Sequence, residues 1–234
     1  MRDAKKTIEQ IWERGKIPIL AGGTGLYIDH VVYNVLLSNA PIDFILRKKL
    51  TDEAAEVGGD AMLSKLRDID PKTAEKLHSN DIKRIVRALE VYTLTGKTKT
   101  EWDKESMQNE KIYDYLYFAI ASQRDILYNR INVRVDNMVS AGLFEEAASL
   151  QEKYSRDNTA AQGIGYRETG YFLRGLTTRD ETIRLIKRNT RHLAKRQMTW
   201  FNKNNDIIWI DAQDEDKCTK KIFERWSINS ADGS

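Results

Sequence analysis

Five residues of strand length, Ile17-Pro18-Ile19-Leu20-Ala21, run directly into Gly22-Gly23-Thr24-Gly25, and Leu26-Tyr27-Ile28 then resumes an apolar helical pattern. A short buried strand, a glycine turn and a helix start are the unit of an α/β layer fold, which binds ligands near the carboxyl ends of its strands. Pro18 is tolerable because it sits near the strand start, where a missing ladder donor costs least. The glycines let backbone N–H groups approach an anion at a helix N-terminus, and Thr24 adds a hydroxyl. A tight turn that binds nothing has the same spacing, so the loop alone leaves both readings open.

The remaining pattern is mostly helical. A helix is expected from Ala4 to Arg14, and helices fill residues 38 to about 100, with start signals at Asp70-Pro71 and Ser79-Asn80-Asp81. Tyr113 to Ile120 returns to alternation of strand type, and a helix pair follows from about Arg124 to Lys153. After Gly163-Ile164-Gly165 come two helices, the second from about Thr182 to Asn202. Ile207-Ile208-Trp209-Ile210 is a last buried strand, followed by a helix. The expected division is residues 1–37 as part of an α/β core, 38–110 as a helical insertion, 111–228 as the rest of the core, and 229–234 as a frayed tail.

Composition narrows the function classes. No apolar run approaches the ~20 residues needed to span a bilayer, and the N-terminus carries no apolar signal segment. The single cysteine, Cys218, cannot form an internal disulfide, and His30, His78 and His192 show no metal-ligand spacing. A cytoplasmic protein without membrane contact is expected. Net charge is only +3, from 38 basic and 35 acidic side chains. Its distribution says more: no acidic residue lies between Glu181 and Asp206, where Arg184, Lys187, Arg188, Arg191, Lys195, Arg196 and Lys203 fall.

Three helical segments carry candidate chemistry. In the segment from Arg124, Leu127, Ile131, Val135 and Met138 form an apolar stripe, with Arg134 at its edge and Arg130 one turn earlier. An arginine against a core needs an anionic partner, which is either an internal carboxylate or a bound phosphate or diphosphate. In the segment from Thr182, Ile183, Ile186, Leu193 and Phe201 share one face, while Arg184, Arg188, Arg191 and Lys195 form a basic stripe opposite. That stripe is either a solvated face or a phosphate-backbone contact, and the lack of interleaved acid favours the second. Near Asp81, Ile82, Ile85, Val86 and Leu89 are expected to be buried, with Lys83 and Arg87 projecting opposite and Arg84 beside them. Tyr166 and Trp200 are either core residues or stacking platforms for bases. Gly96-Lys97-Thr98 imitates the end of a Walker A loop, but the first glycine of that pattern would fall at Val91, after a helix.

Four ordered motifs then resemble one family. They are Ala21-Gly22-Gly23-Thr24-Gly25-Leu26-Tyr27, Asp81-Ile82-Lys83-Arg84-Ile85-Val86-Arg87-Ala88-Leu89-Glu90, Gln162-Gly163-Ile164-Gly165-Tyr166-Arg167-Glu168, and the run from Thr190 to Trp200. Together they are similar to the bacterial tRNA dimethylallyltransferase (tRNA isopentenyltransferase) family. The resemblance implies a P-loop NTPase-like parallel-sheet core with a helical insertion. It also implies transfer of a dimethylallyl group from dimethylallyl diphosphate to N6 of the adenine next to the anticodon, with magnesium as cofactor. By motif position it makes Thr24 and Arg134 catalytic residues, with Arg134 and Arg130 as the diphosphate contact. It assigns tRNA anticodon stem-loop contacts to Arg47, Lys83, Arg84, Arg87, Gln162, Gly163, Ile164, Gly165, Tyr166, Arg167, Lys195, Arg196, Gln197 and Trp200, to which the basic stripe read above adds Arg184, Arg188 and Arg191. The family pattern opens with a strand, a P-loop and a D-S-x-Q segment whose aspartate takes the amine proton. These do not occur in the 234 residues. The expectation is an N-terminally truncated core whose isolated chain does not complete the reaction, with a tRNA-binding fragment as the alternative.

Overall fold

The computed structural model describes residues 2–34, 42–106, 112–153, 159–211 and 215–232, in two compact units, residues 1–114 and 115–234. In the first unit, α1 (Arg2–Glu13) and α2 (Gly25–Val32) precede α3 (Phe44–Ile69), α4 (Pro71–Ala74), α5 (Ile82–Thr95) and α6 (Lys99–Ser106). In the second, β1 (Phe118–Ala121) leads to α7 (Arg124–Ser140), α8 (Leu143–Lys153), α9 (Tyr166–Leu173) and α10 (Arg179–Phe201). Then come β2 (Ile208–Asp211) and α11 (Glu215–Asp232). The described chain is therefore helical with a small parallel sheet.

The first unit is organised by α3 against α5. Leu50, Ala54, Met62, Leu63 and Leu66 of α3 meet Ile85, Val86, Ala88 and Leu89 of α5 in one core. The apolar spacing of α3 breaks between Ala54 and Met62, where Gly58 takes φ 82° and ψ 163°. That conformation favours glycine. Gly59 then passes so close to the Ser79 backbone that an added Cβ would lie 2.1 Å from its carbonyl oxygen. Asp43 caps α3, accepting from the Ile45 and Leu46 N–H groups. Gly96, at φ 68°, ends α5 in the left-handed conformation and belongs to a helix stop, not a phosphate loop.

Asp70 joins three elements of this unit. It is buried and accepts from the Thr73 N–H and hydroxyl and from the Thr100 N–H and hydroxyl, linking the end of α3 to α4 and α6. Burial disfavours its charge, but the hydrogen bonds from Thr100 and Thr73 together outweigh it and hold the carboxyl below the ordinary aspartate range.

In the second unit, β1 and β2 pair in parallel with Phe118 opposite Ile208 and Ala121 opposite Asp211. Val135 of α7, Leu143 of α8 and Ile186 of α10 form the core, with Met138, Ile164, Tyr166 and Ile183 against it. Thr178 and Glu181 close a reciprocal capping box at the start of α10. Glycine 142, at φ 100°, separates α7 from α8 as the helix-pair pattern requires.

Two expectations need correction. Ile17–Ala21 is not a strand; Ile19 is 86% exposed, and neither described strand pairs with this segment. An apolar sequence becomes a strand only when a neighbour takes up its backbone groups. Leu193 is 37% exposed and leaves the buried face of α10, because the core under that helix is confined to Ile186 and its neighbours.

Asp70 generates a stability prediction. Asp70→Asn should destabilise the chain by about 2 kcal/mol at neutral pH, because the amide replaces one of the two oxygens that accept from Thr73 and Thr100 with a donor. A depressed folded-state pKa gives stability that is full above the ordinary aspartate range and is lost as pH falls through the folded value. Denaturation curves of the two proteins should therefore converge on acidification. A gap that stays constant from neutral to acid pH would contradict this role.

Candidate active site and nucleic-acid interface

In the first unit, Gly22-Gly23-Thr24 lies before α2, whose first turn closes on the Thr24 carbonyl through the Tyr27 and Ile28 N–H groups. Thr24 is exposed and its side chain makes no capping bond, leaving the hydroxyl available. It lines a cavity of about 260 Å³ with Leu20, Gly22, Gly23, Tyr27 and His30. The His30 Nδ1 is buried and has no hydrogen-bond partner among the described residues. Burial holds the His30 imidazole below its ordinary value, against the raising effect of Asp29.

The α5 cluster is arranged differently from its sequence pattern. Lys83 and Arg84 are exposed as expected. Arg87 instead turns back to Glu90, its Nη1 donating to Oε2 at 2.8 Å. Arg47 of α3 donates to the same oxygen from Nε at 3.1 Å and from Nη2 at 2.8 Å. The other Glu90 oxygen accepts from the Asp43 N–H at 3.1 Å. Glu90 has no solvent exposure, while the Arg47 and Arg87 side chains keep 36% and 30%. Burial opposes the Glu90 charge, but the bonds from Arg47, Arg87 and Asp43 prevail and hold it below the ordinary glutamate range.

The second unit repeats the device. Gly165, at φ 102°, turns the chain into α9, and Glu168 reaches back to its N–H at 2.8 Å. The second oxygen of Glu168 accepts from Arg167 Nε at 3.1 Å and from Asn189 of α10 at 2.8 Å. Burial again opposes ionisation, and the Gly165, Arg167 and Asn189 bonds outweigh it. Arg167 is thus ion-paired with a buried carboxylate while staying partly exposed. Tyr166 is half-buried, packed against the core of this unit, and its hydroxyl donates to Glu146 at 2.8 Å. Gln162 is exposed, whereas Gly163 and Ile164 are half-buried.

On α7, Arg134 is exposed at the rim rather than set against the core. Neither Arg130 nor Arg134 has an ion-pair partner among the described residues, so the internal-carboxylate alternative is not realised there. With Asn129, Val133, Asn137 and Met138 they share one open face of α7. On α10, Arg184, Arg188, Lys195 and Arg196 are exposed, as is Trp200, and Gln197 is half-buried. Arg191 leaves the expected stripe: its Nη1 donates to Asn132 at 2.7 Å, and its guanidinium lies 5.9 Å from the Tyr128 ring centre. Lys187 likewise pairs with Asp136 at 2.6 Å.

The sequence reading missed Glu90, Glu168, Asn132 and Asn189. Magnesium, implied by the resemblance, finds no group of three or more His, Cys, Asp or Glu side chains able to hold it among the described residues. No helix among them is long and apolar enough to cross a membrane.

Comparison with known proteins fits this arrangement. The IPP transferase family model matches residues 1–204. A tRNA dimethylallyltransferase of Acetivibrio thermocellus is 45% identical over 220 residues, covering 94% of this chain and 70% of the relative. That of Geobacillus thermodenitrificans is 41% identical over 223 residues, covering 95% and 70%. Among solved structures, the tRNA isopentenylpyrophosphate transferase of Bacillus halodurans superposes with a TM-score of 0.64 at 38% identity, over 96% of this chain and 70% of that one. A eukaryotic dimethylallyltransferase acting on tRNA gives 0.72 at 32% identity, over 94% of this chain and 57% of that one. These neighbours have an α/β fold, consistent with the parallel pairing of β1 and β2. With 204 of its residues matched by one family model and close relatives spanning nearly its whole length, the chain belongs to the IPP transferase family.

Proposed function

We propose that this chain acts in tRNA modification, moving a dimethylallyl group from dimethylallyl diphosphate to N6 of the adenine beside the anticodon. The observation that carries the reading is the pair Arg130 and Arg134, unpartnered on one face of α7 in a member of this family. In the reaction, the adenine amine attacks C1 of the dimethylallyl group, the C1–O bond breaks, and diphosphate leaves with the bond electrons. The amine proton passes to a base, a role the family pattern gives to the aspartate of its D-S-x-Q segment. Arg134, with Arg130, receives the charge that grows on the leaving diphosphate; forked guanidinium donors match its oxygens. Thr24 supplies a hydroxyl at a glycine-built helix start, where backbone N–H groups also favour oxyanions.

The RNA contacts in this reading are, in the first unit, Lys83 and Arg84 on α5 with the arginines held by Glu90, and, in the second, Arg184, Arg188, Lys195 and Arg196 on α10 with the arginine held by Glu168. Trp200, exposed at the end of α10, is the stacking residue, since aromatic faces accept unpaired bases. The P-loop NTPase-like core and a helical insertion over residues 38–110 belong to the same proposal, as does a cytoplasmic location, where the tRNA substrate resides.

Two experiments test the reading. Inorganic diphosphate titrated calorimetrically into the full chain should bind, and Arg134→Ala should weaken that binding by roughly tenfold or more. Thermal stability should hold, because exposed substitutions without partners change little. A matching loss of stability would assign Arg134 to the scaffold instead. For RNA, Arg184→Ala combined with Arg188→Ala should weaken binding of a fluorescent anticodon stem-loop. It should also lower the slope of log affinity against log salt by about one for each phosphate contact removed. An unaltered slope would make this part of α10 a solvated face.

A further inference from the structure

The arginines that resemble RNA contacts in the first unit do not stand alone. Arg47 comes from the first turn of α3 and Arg87 from α5, and both end on one oxygen of Glu90. The same carboxylate takes the N–H of Asp43, the residue that caps α3. One buried anion thereby ties the start of α3 to α5 and anchors two guanidinium groups, Arg47 through two nitrogens and Arg87 through one. Arg47 is held from a second side by the exposed Phe44 ring, 5.8 Å from its guanidinium carbon. Its pairing uses Nε and Nη2, so Nη1 makes no bond to Glu90. Lys83, one helical turn before Arg87, is exposed beside it.

A carboxylate is a poor thing to place beneath a surface that binds a polyanion. It subtracts one charge from the local field and so weakens attraction for phosphate. Its compensating effect is order. Free arginine side chains lose rotamer freedom when they bind, whereas arginines already held in place lose less. We propose that Glu90 is a positioning residue for RNA recognition: it pre-orients Arg47 and Arg87 so that their outward guanidinium edges meet phosphates of the RNA backbone. The inference rests on the proposed RNA-binding reading and deepens it. Electrostatics alone and positioning predict opposite signs, which makes the idea testable.

The experiment compares the full chain with Glu90→Gln in titrations of a fluorescent anticodon stem-loop RNA at several salt concentrations. Glutamine keeps an acceptor for the Asp43 N–H but turns an amide toward the arginines and removes the charge. Positioning predicts affinity about tenfold weaker despite the added net positive charge. Charge alone predicts tighter binding, and that result would overturn the proposal. In an Arg47→Ala/Arg87→Ala background the Glu90→Gln change should leave RNA affinity within about twofold, because Glu90 acts through those two side chains. A purely structural Glu90 would weaken binding equally in both backgrounds, which would also overturn it. Should Glu90→Gln fail to fold, Arg47→Lys decides. Lysine keeps the charge but lacks the fork, so several-fold weaker binding at an unchanged salt slope supports positioning and unchanged affinity refutes it. RNA that fails to bind the unaltered chain would refute the functional reading itself; RNA that binds Glu90→Gln more tightly refutes only this inference.

Discussion

A carboxylate removed from water must be met by donors, and the donors it recruits are then fixed in space. Glu90 and Glu168 are both fully buried, and both are met by arginines that remain partly exposed. Around each of them a backbone N–H completes the set, from Asp43 at the start of α3 and from Gly165 at the start of α9. The helix starts, the inter-helix registers and the outward faces of the arginines are therefore consequences of the same pairing. Breaking one side would leave an uncompensated buried charge, so these clusters persist as units. Asp70 shows the same physics with hydroxyl and amide donors in place of guanidinium, and there it only joins helices.

Much of the helical architecture was legible because it depends on local signals. Thr178 with Glu181, Asp70 with Pro71, and Gly96 at a helix end are chemistry that needs no distant partner. The apolar faces of α5 and α7 follow 3.6-residue spacing, and Ile85, Val86, Leu89, Ile131 and Val135 are buried accordingly. Ile17–Ala21 was not legible in this way, since a strand is a relation between segments and apolar character alone does not create the ladder. The β1–β2 pair joins residues some 90 positions apart, a register no local pattern encodes.

The candidate site was read by charge, and charge was an incomplete guide. Arg184, Arg188 and Lys195 are exposed as their helical stripe requires, but Arg191 in that stripe donates to Asn132 across to α7. Arg134 lies outward at the rim, because the core beneath α7 is narrower than its apolar residues suggest. Glu90 did leave a signal. It lies four residues after Val86 and eight after Ile82, on the column that faces the core, and three after Arg87. An acid at a core position beside a base marks a buried ion pair. What the helix alone cannot give is Arg47, forty-three residues earlier, which only the α3–α5 packing brings to the same oxygen.

The proposed RNA contact is made in each unit by arginines held on a buried carboxylate and by exposed basic residues, those of α5 in the first unit and those of α10 in the second. Arginine-selective chemical labelling of the full chain, read residue by residue by mass spectrometry with and without tRNA, tests it most directly. Arg47, Arg84, Arg87, Arg167, Arg184 and Arg188 should lose reactivity on adding tRNA, while the exposed Arg14 and Arg67 should not. Uniform protection of all arginines, or protection that spares Arg47, Arg87 and Arg167, would contradict it.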